Sequence, residues 1–85
     1  MKIQFQFFGA LRGLVENDLL SLEMNGTTID DAKLALVSFA EQHWSTDSIS
    51  VLPNCAFASS TSLLRGQMRV PEDGRLVVLP PVNGG

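Results

Sequence analysis

Lys2-Ile3-Gln4-Phe5-Gln6-Phe7-Phe8 alternates polar and apolar side chains with a period of two, the pattern of a strand buried on one face and wet on the other. Ile3, Phe5 and Phe7 point to a core, while Lys2, Gln4 and Gln6 face away. The first strand is therefore expected over residues 2–8. Gly9 and Gly13 bracket a short turn or single helical turn carrying Leu11, Arg12 and Leu14. Within residues 18–24, Leu20, Leu22 and Met24 alternate with Ser21 and Glu23, and Asn25-Gly26 ends the run. So short a connection makes these two strands an antiparallel hairpin.

At the other end of the chain, Arg75-Leu76-Val77-Val78-Leu79 carries apolar residues on both faces. Such a strand belongs in the buried centre of a sheet, beside and parallel to the first strand. Between them, Thr28-Ile29-Asp30-Asp31 starts a helix with a threonine cap and acidic first-turn residues. Ile29, Ala32, Leu36, Phe39, Ala40 and His43 recur at helical spacing, which places the helix over 29–43. His43 is expected as a helix-end residue with a satisfied hydrogen bond, and Trp44 as a lid on the core. Residues 45–54 are polar with isolated apolar anchors and read as a long loop. Two weaker strands, 55–59 and 62–64, flank a serine- and threonine-rich turn, and Val70-Pro71-Glu72-Asp73-Gly74 makes a second turn. The order β-β-α-β-β-β gives an α+β fold: a mixed sheet of about five strands with one main helix on one face.

A chain of 85 residues and 9.2 kDa builds one domain and one core. With 45% apolar and 18% charged residues it is globular rather than disordered. The net charge is −3 and the six Lys and Arg are scattered singly, which excludes a phosphate-binding stripe and argues against nucleic acid. No apolar run reaches membrane-spanning length and none forms a signal-peptide core. A cytoplasmic protein with no membrane partner is expected. Cys55 is the single cysteine, in the apolar stretch Cys55-Ala56-Phe57-Ala58; it reads as buried filler rather than a reactive thiol, and no metal-ligand cluster exists. No Ser-His-Asp set, carboxylate pair or phosphate-cradling loop stands out, and Asp30-Asp31 are helix-start charges.

The segment that carries chemistry is Leu79-Pro80-Pro81-Val82-Asn83-Gly84-Gly85. A frayed terminus is the plainer reading of two closing glycines. Two prolines fix φ, stop the strand ladder and hold the departing chain stiff, which aims the segment outward as a handle. Glycine, lacking Cβ, threads a channel too narrow for any side chain. The chain divides into a folded part, 1–79, and a tail, 80–85. If Leu76 and Val78 lie under the helix, Val77 and Leu79 fall on the open sheet face. Phe8, off-register from Phe7, joins them. That apolar patch beside a projecting tail is expected to dock a partner.

Across essentially its whole length the chain resembles the small ubiquitin-like sulfur carriers, above all the small subunit of molybdopterin synthase, with the thiamine-pathway carrier more distant. The resemblance rests on Phe7-Phe8-Gly9-Ala10-Leu11-Arg12, the Thr28-Ile29-Asp30 helix start, Pro71-Glu72-Asp73-Gly74 and, most specifically, Leu79-Pro80-Pro81-Val82-Asn83-Gly84-Gly85. It departs at Phe57-Ala58-Ser59-Ser60-Thr61, where the family often runs an apolar strand into an asparagine. The resemblance implies a β-grasp (ubiquitin-like) fold. It also implies a terminal glycine, here Gly85, that a ubiquitin-activating-like adenylyltransferase adenylates with ATP and magnesium and a sulfur donor converts to a thiocarboxylate. The sulfur then goes to a pterin precursor in the molybdopterin synthase large subunit, whose contacts are implied at Phe8, Leu63 and Leu79, with Arg12 on the rim; strand parity adds Val77 to that face. No cofactor is held by the carrier itself. Sulfur delivery to thiamine, cysteine or another metabolite, or isopeptide formation through Gly85, uses the same tail.

Overall fold

The computed structural model describes residues 1–81; Val82, Asn83, Gly84 and Gly85 lie outside the described residues. Strand β1 (Lys2–Phe7) pairs antiparallel with β2 (Leu19–Glu23), setting Ile3 opposite Leu22 and Phe5 opposite Leu20. On its other side β1 runs parallel to β5 (Arg75–Leu79), with Phe5 beside Leu76 and Phe7 beside Val78. Strand β3 (Ala56–Ala58) is antiparallel to β5, and β4 (Leu63–Leu64) closes a five-stranded sheet of order β2-β1-β5-β3-β4. The hairpin and the central parallel pair both form as the alternation predicts. So does the third strand, although its sequence departs from the family pattern.

The turn from β3 to β4 is built by one hydroxyl: Ser59 Oγ accepts from the N–H groups of Thr61 and Ser62 at 3.2 and 3.1 Å. Hydroxyl side chains stabilise such turns by standing in for a backbone partner.

Helix α1 (Ile29–His43) has the span its spacing predicts. Thr28 Oγ1 accepts from the Asp31 N–H at 3.2 Å, and the Asp31 carboxylate accepts from the N–H groups of Thr28 and Thr27 at 3.2 and 3.1 Å. This reciprocal capping box satisfies donors that a helix start leaves orphaned. The loop before β5 covers two more: Ile29 N–H donates to Met68 O and Asp30 N–H to Gly66 O. Ile29, Ala32, Leu36 and Ala40 are buried with Ile3, Phe5, Phe7, Leu76 and Val78. Burying each large side chain contributes about 1.5–3 kcal/mol relative to exposure. Phe5 stacks on Phe7 and meets Phe57 edge-on.

Residues 45–54 are not a loop. Helix α2 (Thr46–Val51) and a 3-10 turn over Leu52–Asn54 occupy them. Ser45 caps α2 by accepting from Ser48 N–H at 3.2 Å, and Pro53 sits in the first turn of the 3-10 segment, where no N–H is needed. Leu52 is buried in the core, with Ile49 and Val51 packed against it. The apolar anchors are therefore the inner face of a short helix whose other positions are wet.

Trp44 does lid the core, meeting Phe7 edge-on at a centroid distance of 5.4 Å and Phe39 at 6.1 Å. Its Nε1 has no hydrogen-bond partner among the described residues. His43 ends α1 as expected, but exposed and stacked on Phe39 at 4.3 Å rather than through a hydrogen bond.

The capping box makes helix stability pH-dependent. Hydrogen bonds from the Thr28 backbone and side chain, then the Thr27 backbone, hold the Asp31 carboxyl below its ordinary value of 3.8. A depressed folded pKa means that the contribution is fully present above the unfolded value and fades as pH falls through the folded one. Asp31→Ala is expected to lower the denaturation midpoint at pH 7, with the gap to the parent protein closing as pH drops below about 4. Urea titrations at both pH values measure it; an equal gap at both would disprove the assignment.

Candidate functional site

Cross-strand neighbours share a face of the sheet, so the register reads out the side away from α1. One row across that face is Leu19, Gln6, Val77, Ala58 and Leu63, and Ala56 beside Leu79 begins the next. Phe8 remains extended (φ −133°, ψ 168°), which turns its side chain opposite to Phe7, toward the same rows. The remaining rows, Ser21-Gln4-Arg75 and Glu23-Lys2, are polar. The open face is thus divided, apolar toward the exit of β5 and polar toward its entry. Leu63 is 68% exposed, Leu19 41% and Phe8 40%; Val77 and Leu79 are half-buried. A hollow of about 840 Å³ runs over Gln6, Leu19 and Val77, rimmed by Thr61, Asp73 and Arg75.

Phe8, Val77 and Leu79 therefore cluster near the tail, and Leu63 extends the band to the β4 edge. Leu19, Ala56 and Ala58 belong to the same band and were not among the residues singled out from sequence. Leu19 carried a usable signal, since it has the opposite parity to Leu20 and Leu22. Arg12 is largely exposed and bridges back to Asp18, Nε to Oδ2 at 3.4 Å, while Asp18 Oδ1 accepts from Gly13 N–H at 2.7 Å. An exposed ion pair of this kind contributes about 0–1 kcal/mol. It places Arg12 against the residue that precedes Leu19, at the rim of the band.

The root of the tail is braced on a glycine. Gly9 has φ +59°, and a Cβ placed there would lie 2.8 Å from Cγ of Pro80. The chain leaving β5 thus crosses directly over the turn that leaves β1. Pro80 is half-buried and Pro81 exposed. The sites expected at Val82, Asn83, Gly84 and Gly85 lie outside the described residues.

Cys55 is buried away from this face, its Sγ 3.4 Å from the Val51 carbonyl. Burial pushes the thiol up from its ordinary value, with the Lys33 charge partly opposing. A thiol so held stays protonated at neutral pH, as expected of filler.

Gly9 and Gly13 separate backbone strain from contact with the tail. Both have positive φ, but a Cβ on Gly13 would meet nothing within 4 Å. Alanine at either site is expected to destabilise by about 1–2 kcal/mol through the left-handed backbone. Only Gly9→Ala should shift the NMR resonances of Leu79 and Pro80. Equal shifts in the two variants would show that residue 9 does not set the path of the tail.

No protein-family model matches the chain, and no curated protein matches it. Among solved structures, the crystal structure of SAMP1 from Haloferax volcanii is similar over 100% of both chains, with a TM-score of 0.66 at 18% sequence identity. At that identity the likeness is one of fold, and the mixed five-stranded sheet with its helices has the β-grasp arrangement of SAMP1.

Proposed function

We propose that this chain is a cytoplasmic ubiquitin-like sulfur carrier for molybdopterin synthesis, with Gly85 as the terminal residue that is activated and converted to a thiocarboxylate. The observation that carries the reading is the continuity of the apolar band with the root of the tail: Phe8 and Leu79 sit where Pro80 leaves the sheet over Gly9. A partner that covers the band is led to residues 80–85. The two prolines keep the reacting end clear of the domain, and two glycines admit it to a narrow channel.

A terminal carboxylate, ionised with a pKa of about 3.5, is a poor electrophile. In this reading a ubiquitin-activating-like adenylyltransferase, using ATP and magnesium, joins a carboxylate oxygen to the α-phosphorus as pyrophosphate leaves. A donor at the oxidation level of sulfide adds to the carbonyl, and AMP departs with that oxygen. The thiocarboxylate sulfur then attacks an electrophilic carbon of the pterin precursor in the large subunit of molybdopterin synthase, and a carbon–oxygen bond at that carbon breaks, the oxygen leaving with the bonding pair and taking up a proton. Water cleaves the acyl–sulfur bond, leaving sulfur on the product and returning the Gly85 carboxylate. The carrier supplies the reacting atom and its delivery, while the partners supply acid–base chemistry.

A second reading is supported by the likeness to SAMP1, a ubiquitin-like modifier protein. Activation is shared, and the paths diverge at the nucleophile: sulfide in a carrier, a lysine amine in a modifier. A carrier serving thiamine, cysteine or another metabolite differs only in the final acceptor.

Mass spectrometry of the protein from its native cell distinguishes these chemistries. Replacing one carboxyl oxygen by sulfur adds about 16 Da, the expected result; covalent ladders on other proteins without that mass would favour the modifier. Deleting Gly85 withdraws the carboxyl by about 3.5 Å. Since about 1 Å of misplacement can cost roughly a hundredfold in rate, sulfur transfer should be abolished with the unfolding midpoint unchanged. Full transfer by the shortened chain would overturn the assignment of Gly85.

The docking face has its own test. Phe8→Asp and Leu79→Asp should fold and yet bind the large subunit at least tenfold more weakly, since burying a charge at an apolar contact is costly. Gln4→Asp, on the polar half of the same face, should bind as the parent does. Unchanged titration calorimetry for all three would remove the band from the interface.

A further inference from the structure

Asn25 and Gly26 lie in the turn that joins β2 to α1, and both are exposed. A Cβ on Gly26 would collide with the Asp31 carboxylate, so the backbone passes directly beside the group that caps the helix. An asparagine followed by glycine carries both an electrophile and a nucleophile. The glycine nitrogen reaches the asparagine side-chain carbonyl carbon in a five-membered ring, and glycine has no Cβ to obstruct the approach.

Three asparagines fall among the described residues, and the fold treats the amide after each differently. After Asn17, the Asp18 N–H donates to the Val15 carbonyl at 3.1 Å; after Asn54, the Cys55 N–H donates to the Leu52 carbonyl at 3.1 Å. The Gly26 N–H has no hydrogen-bond partner among the described residues. Attack requires the nitrogen to shed its proton, and an amide bonded to a carbonyl must first give up that bond. Sequence and hydrogen bonding thus single out the same residue.

We propose that Asn25 is a site of spontaneous covalent modification, passing through a cyclic imide to aspartate and isoaspartate with water and hydroxide as the only co-reactants, and that the products loosen the start of α1. The Gly26 nitrogen gives its proton to hydroxide and bonds to Cγ of Asn25. The side-chain carbon–nitrogen bond breaks, and that nitrogen takes up a proton from water and leaves as ammonia. Water then opens the ring at either carbonyl. Breaking the new carbon–nitrogen bond leaves aspartate; breaking the original peptide bond leaves isoaspartate, whose backbone is longer by one methylene group. Both products put a carboxylate where a neutral amide stood, and like charges beside Asp31 oppose each other. The added methylene also displaces the Thr27 and Thr28 N–H groups that hold the Asp31 carboxylate. Glu23 pairs with Lys2 at the entry of β1, the end of the sheet remote from Pro80, so the site is independent of the sulfur-carrier reading.

The full chain, incubated folded in mildly alkaline buffer and then digested for peptide mapping, should gain about 1 Da at Asn25 as the amide nitrogen is replaced by oxygen. The gain should divide between two products of equal mass and different retention. It should run about tenfold or more ahead of Asn17 and Asn54, whose following amides are tied. Asn83 also precedes glycine, and the mapping separates its peptide from the one that holds Asn25. Acidic buffer should slow the gain, since the nitrogen must lose a proton. The aged chain should have a lower urea midpoint than the fresh one. Asn25→Gln, which closes only a less favoured six-membered ring, should keep its midpoint through the same incubation. An unchanged mass at Asn25, gains at Asn17 or Asn54 that match it, or a midpoint unmoved despite the gain would each overturn the proposal.

Discussion

The parallel contact between β1 and β5 is the constraint on which the rest of the molecule depends. It sets Phe5 beside Leu76 and Phe7 beside Val78, and these four are among the most buried side chains in the protein. A parallel pair cannot be closed by a tight turn, so the chain between the two strands must cross the sheet, and a helix is the usual way. Helix α1 is that crossover. Its inner stripe of Ile29, Ala32, Leu36 and Ala40 alternates large and small side chains and is buried in one core with Phe5 and Phe7. Because β1 and β5 run the same way, their last residues emerge at one end of the sheet. Phe8, Gly9 and Pro80 meet there, although some seventy residues separate them along the chain.

Much of this was legible in the sequence because the signals were periodic. The spacing in residues 2–8 and 29–43 and the two-faced apolarity of 75–79 located three elements, and parity placed Val77 and Leu79 on the open face before any register was known. Failures came where local and tertiary information conflict. Thr46 to Val51 is too polar for a pattern reading to favour a helix, and its helical state is decided by a serine cap and by Leu52 reaching the core. Leu19 was overlooked because its neighbours Leu20 and Leu22 satisfied the inward pattern. His43 ended its helix as foreseen, but an adjacent ring, not a hydrogen bond, received it. The Gly9–Pro80 contact leaves no trace in composition or period, since it joins two turns remote in sequence.

The division of the open face has an energetic meaning. A small domain needs its apolar residues inside, and 85 residues leave little margin. Phe8, Leu19 and Leu63 contribute little to folding while exposed, and their burial remains available to a complex. About 25 cal/mol per Å² of apolar surface removed from water is the gain that docking can draw upon. The polar rows at the far end of the same strands confine that gain to the end from which the tail departs, so in the proposed carrier one face would provide both affinity and orientation.

Rigidity at the tail root follows from the same geometry. In the carrier reading, a flexible linker of six residues would spread its end over many ångströms, and a carboxyl so dispersed would lose the benefit of being delivered. Pro80 restricts φ from within the chain, and contact with Gly9 restricts it from outside. The second restraint requires a residue without a side chain at position 9, in a backbone conformation that disfavours any other. Glycine is therefore demanded twice in this molecule for different reasons: at Gly9 so that the tail can be fixed in direction, and at Gly84-Gly85, in the carrier reading, so that it can be received.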